Sequence, residues 1–80
     1  MNKLTFENSL EVHADWLCEV RHKLRMSYGD VNEFSKSNNI DYLAAFWFLK
    51  GSPVEINTFK TICDILDVDW QLIQLPGLWQ

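Results

Sequence analysis

Cys18 and His22 stand four residues apart, the spacing at which a thiol and an imidazole on one helix can touch. Nothing near them supplies an acid to orient the imidazole in a cleft, and the chain has no Gly-rich phosphate loop. No catalytic residue is therefore expected. The other cysteine, Cys63, has neither a C-x-x-C neighbour nor a His pair close by. Both cysteines are expected to be reduced and mostly buried, with no metal ligated and no cofactor held. A second group is basic: Arg21, His22, Lys23 and Arg25. Cations in the last turns of a helix complement its dipole. The same run could also make a small patch for phosphate or carboxylate. The third group is apolar, with Tyr42, Leu43, Phe46, Trp47, Phe48 and Leu49 crowded into one short stretch. Helical spacing spreads these six around most of a helix, so part of it must face something other than the domain's own core.

The joints around that stretch define its helix. Asn38 and Asn39 tolerate left-handed backbone, and Asp41 can accept the first amide hydrogens of a helix over Tyr42–Lys50. Gly51, with Pro53 behind it, stops that helix. Upstream, Asp30 caps a short helix in which Val31 and Phe34 face inward and Ser35, Lys36 and Ser37 face out. The first helix is placed at Ser9 to about Met26, with Asn8 as N-cap and Glu11 as a capping-box partner. Leu10, Ala14, Leu17, Val20 and Leu24 make its core stripe, and Glu11, Asp15 and Glu19 its solvated side. His13 falls beside the stripe as a partly buried, satisfied imidazole. A fourth helix runs from about Ile56 to Leu66 and ends at Asp67, a residue that adopts left-handed backbone at modest cost. Asp69 caps a last helix over Trp70–Leu75. Strand signals are almost absent, so the expected fold is all-α, five short helices in one domain over residues 1–80. Its parts would be an arm at 1–8, a helical core at 9–75 and an apolar tail at 76–80.

Seven cations against eleven carboxylates leave a formal charge of −4. That lacks the broad basic footprint of a non-specific nucleic-acid binder. The aromatic share of 14% is high, which argues against a disordered chain. No stretch is apolar for long enough to span a membrane, and no apolar signal core follows Met1. A cytoplasmic location is the expectation.

The order of these helices resembles the lambda-repressor/Cro type of helix-turn-helix over Val20 to Leu66. FSKSNNI stands in the place of the second helix and turn, and DYLAAFWFLKG in the place of the recognition helix. The pattern F-x-x-G-x-P-V-x-x-x-x-F-x-x-I-C-x-x-L-x-x-D-W, carried here by Phe48, Gly51, Pro53, Val54, Phe59, Ile62, Cys63, Leu66, Asp69 and Trp70, is similar to a helix-turn-helix-like module of cyanobacterial multidomain proteins. There the module precedes NACHT-type ATPase or repeat domains. The resemblance implies that Ala45 and Phe48 point inward and that Leu43, Phe46 and Trp47 are exposed.

It also marks departures from the DNA-reading members. Those carry polar and basic side chains where this chain has Tyr42, Leu43, Ala44, Phe46 and Trp47, and they often have Gln where it has Val31. Base edges call for Arg, Lys, Asn or Gln, and only Lys50 offers a charged donor here. The leftover apolar side chains are either covered by the arm or the Leu78-Trp79 tail, or are an interface. The expected function is a non-catalytic interaction module that binds a protein partner or itself. Its contact residues would be Tyr42, Leu43, Phe46, Trp47 and Lys50. The alternative is a DNA-binding regulator contacting nucleic acid through Arg21, Lys23, Arg25, Lys36, Tyr42 and Lys50. Neither reading involves a membrane or a small-molecule substrate.

Overall fold

The computed structural model describes residues 9–76. The chain order is β1 (Ser9–Val12), α1 (Ala14–Tyr28), α2 (Val31–Asn38), α3 (Tyr42–Lys50), β2 (Val54–Glu55), α4 (Ile56–Leu66), α5 (Trp70–Ile73) and β3 (Gln74–Pro76). The expectation of five helices holds. The expectation of a mostly helical chain holds with it, but the described residues also carry a small antiparallel sheet of three short strands in the order β2-β1-β3, which the sequence reading did not include.

The correction begins at the first helix, which starts at Ala14 and not at Ser9. Leu10 and Val12 are both buried, while Ser9 and Glu11 are more open. Alternation of that kind is the period of a strand. On a helix, two positions two residues apart lie about 200° apart and cannot both face one core. Leu10 pairs with Val54 on one side and with Pro76 on the other, and Val12 pairs with Gln74. The ladder continues one step further, where the His13 amide donates to the Ile73 carbonyl at 2.7 Å. His13, not Asn8, is the N-cap: its Nδ1 accepts from the Asp15 amide at 3.1 Å. Ala14, assigned to the core stripe, is exposed at the first turn, and the stripe proper is Leu17, Val20 and Leu24.

The other joints form where the capping residues stand. Asp30 accepts from the Glu33 amide at 2.9 Å and Asp41 from the Ala44 amide at 3.1 Å. Asn39 is left-handed at φ 55°, and the Ile40 amide closes the turn on the Ser35 carbonyl at 3.0 Å. Gly51 is left-handed at φ 81°, and an added Cβ there would meet Leu17 Cδ1 at 3.2 Å, so α1 passes close beneath the end of α3. Asp67 ends α4 at φ 61°. Glu55 caps α4 by accepting from both the amide and the hydroxyl of Thr58, at 3.1 and 3.2 Å. The last helix is shorter than expected and stops at Ile73. Leu75 precedes Pro76, whose ring disfavours helical backbone in the residue before it, and the chain turns into β3.

The core lies between α1–α4 and the inner side of the sheet. Val20, Phe34, Phe48, Phe59, Ile62 and Ile73 are wholly excluded from solvent, with the rings of Phe48 and Phe59 5.1 Å apart. Ser35, expected outside, is buried on the same side of α2 as Phe34, and its Oγ finds no hydrogen-bond partner. An unpaired buried hydroxyl costs stability. Ser35→Ala is accordingly expected to stabilise the domain by about 1 kcal/mol, read as an upward shift of the urea midpoint. No helix among the described residues is long and apolar enough to cross a membrane. The arm expected at 1–8 and the tail beyond Pro76 lie outside the described residues.

Candidate functional site on helix α3

Helix α3 is short, and both of its ends are held. Asp41 fixes the first turn, and the amides of Gly51 and Ser52 return to the Phe48 and Trp47 carbonyls at 3.2 and 3.0 Å. Arg21 of α1 adds a third tie, its Nε donating to the Leu49 carbonyl at 2.8 Å. That bond satisfies one of the carbonyls that a helix end leaves without a partner. The helix therefore presents its side chains from a fixed frame.

Ala45 and Phe48 turn inward and are sealed in the core, as expected. Leu43, Tyr42 and Trp47 turn outward, 55%, 47% and 42% exposed. Phe46 departs from the expectation of full exposure. It is half-buried, because it lies between two rings and a lysine. Tyr42 stacks on it nearly parallel at 6.2 Å, Trp47 meets it edge-on at 5.3 Å, and Lys50 Nζ sits 5.3 Å from the ring centre. Contacts of this kind hold aromatic side chains in defined orientations. Four of the five residues assigned to an interface, Tyr42, Phe46, Trp47 and Lys50, are thus in mutual contact through Phe46, and Leu43 is exposed on the same helix.

The six residues assigned to nucleic acid are divided. Arg21, Arg25 and Lys50 gather around a cleft of about 370 Å³ between α1, α3 and the start of α2. Lys23, Lys36 and Tyr42 do not line it. Lys36 instead lies 4.0 Å from Glu33, one helical turn back. Leu24, Val31, Phe46 and Leu49 form the apolar part of the cleft. The basic edge of the cleft, Arg21 and Arg25, belongs to the run expected as a small phosphate or carboxylate patch, whereas its apolar floor and Lys50's place beside it are not foreseen by the sequence. Arg21 and Arg25, four apart, mark that edge in the sequence, but the crossing of α1 and α3 that completes the cleft does not show there.

The two cysteines differ. Cys18 is exposed, contrary to expectation, because it lies off the Leu17, Val20 and Leu24 stripe of α1. Cys63 is buried on α4, and burial pushes its thiol up from 9.0 to about 12, with the carboxylates of Asp69 and Asp64 adding to the shift. A raised thiol favours the folded state below pH 9.0, and that contribution is lost as pH climbs toward 12. A thiol reagent at pH 8 is expected to titrate one fast equivalent, Cys18, and to reach Cys63 only after denaturant is added. Among the described residues, no three His, Cys, Asp or Glu side chains come together to hold a metal ion.

No family model matches the chain, and no curated protein or solved structure matches it.

Proposed function

We propose that this chain is a helix-turn-helix-like interaction module that binds protein through the outer face of α3. The observation that carries the reading is the row Tyr42, Leu43 and Trp47, large and exposed on a helix fixed at both ends. Aromatic anchors on a rigid element are the usual makings of an interface hot spot. The joint supports the helix-turn-helix part of the reading. Residues 39–41 connect α2 to α3, and the left-handed Asn39 opens a turn of the kind that often holds glycine in this motif. A second copy of the chain is the partner such a face suits most simply, since an apolar row can pack against its own image about a two-fold axis.

A DNA-reading role is less well supported by the same surface. Asp41 stands at the start of α3, where it would face phosphate unfavourably, and the residues that would meet base edges are Leu43 and Trp47. The experiment is a titration of the chain into a labelled random duplex, followed by fluorescence anisotropy at about 50 and about 200 mM salt. No salt-sensitive binding is expected. Binding at low salt that collapses at the higher salt would replace this reading with the DNA one.

A further inference from the structure

The cleft beside α3 has a composition that the outer face of the helix does not share. The chain carries seven cations against eleven carboxylates, yet Arg21, Arg25 and Lys50 all stand around this one cleft with a single acid, Asp30. Among the described residues, none of the three lies within ion-pair distance of a carboxylate. Arg21 is also pre-positioned. Its Nε is held by the Leu49 carbonyl, which leaves the two terminal nitrogens of the guanidinium for a ligand. A guanidinium fixed in that way is suited to a carboxylate, which it can grip with two hydrogen bonds.

Beneath the cations the cleft is apolar. Val31, Phe46 and Leu49 line it together with the stem of α1. A surface for a bare phosphate or a DNA backbone has no use for such a floor. A volume of about 370 Å³ is near the small end of ligand sites, with room for one large side chain and the backbone that carries it. A single-headed amphiphile would bring one carboxylate to three cations, whereas an acidic peptide brings several.

We infer that this cleft is a docking site for an acidic linear peptide of a partner protein, in which one large apolar side chain is flanked by Asp or Glu. The apolar side chain enters between Phe46, Leu49 and Val31, and the flanking carboxylates meet Arg21, Arg25 and Lys50. The site shares Phe46 and Lys50 with the surface of α3 but lies beside the Leu43 and Trp47 row, and it goes beyond the reading of that row.

The test uses the full 80-residue chain and a fluorescein-labelled peptide, Gly-Glu-Glu-Trp-Glu-Glu-Gly, followed by anisotropy. Binding is expected, weakening as salt rises. Replacing the peptide's Trp by Ala, or its Glu residues by Lys, is expected to weaken binding by about tenfold or more. Arg25→Ala in the protein is expected to do the same with an unchanged circular-dichroism spectrum, while Leu43→Asp is expected to leave peptide binding intact. Absence of binding at low salt would overturn the inference. Equal binding of the Ala peptide would reduce the cleft to a plain anion patch, and loss of binding in Leu43→Asp would move the peptide to the outer face of α3. Displacement of the peptide by duplex DNA at lower concentration than by unlabelled peptide would give the cleft to nucleic acid. Each of these four results contradicts the inference, whereas self-association of α3 is read separately from the mass of the chain in solution.

Discussion

Val12→Asp is expected to unfold the domain. Val12 is 3% exposed at the end of β1, paired with Gln74 of β3, so a carboxylate there would be buried in the core. Burying an unpaired charge is among the few single changes that cost about 4 kcal/mol or more. A domain of this size has a stability of only about 5 kcal/mol or slightly more. Circular dichroism at 25 °C is the check. The same variant separates two descriptions of the N-terminal segment. If residues 9–12 continued the first helix, Val12 would lie on its outer side, opposite Leu10, and Asp would be tolerated within about 0.5 kcal/mol. Glu11→Ala, on the open side of β1, is the matched control and is expected to be near neutral.

Phe48→Ala is expected to cost 3–5 kcal/mol, as a large ring lost from a sealed core does. Phe48 has no solvent exposure and packs against Phe59 with ring centres 5.1 Å apart. Small neighbours such as Ala45 cannot move far enough to fill the space left behind. Trp47→Ala, one position earlier, removes an even larger ring and is expected to change stability by no more than about 1 kcal/mol, because that ring is 42% exposed and touches chiefly Phe46. Urea unfolding of the two variants side by side measures the contrast. A large loss of stability in Trp47→Ala would mean that the ring serves the domain's own packing, and the interface reading would lose its anchor.

Most of the helix ends can be read directly from the chain, because each depends on one residue with a local preference. Asp30 and Asp41 accept amide hydrogens three residues on and Asp69 the one two residues on, and Asn39, Gly51 and Asp67 take left-handed backbone. The inward turn of Ala45 and Phe48 follows from the helical period and the resemblance together. The sheet could not be read in the same way. Ser-Leu-Glu-Val is too short for its alternation to stand out from a helical pattern, and its partners Val54 and Gln74 lie far along the chain, so only tertiary pairing makes it a strand. That one misreading carried others with it. It moved the cap from His13 to Asn8, placed Ala14 in the core, and hid the ladder that anchors β3. Ser35 was missed for a different reason. Its polarity suggests the surface, but as the neighbour of Phe34 on α2 it is only 6% exposed. The row on α3 was visible because its apolar content exceeds what one helix can bury, whereas the cleft depends on how α1 crosses the end of α3, which no local pattern encodes.

The claim that α3 is a protein-binding face is tested most directly by the mass of the chain in solution. Light scattering would be measured across a concentration series for the native chain and for Leu43→Asp. The native chain is expected to exceed its 9.4 kDa monomer mass as concentration rises, and Leu43→Asp to stay at the monomer value with its helical content unchanged. A native chain and a variant that associate to the same extent would contradict the account, since the surface joining the copies would then lie somewhere other than α3.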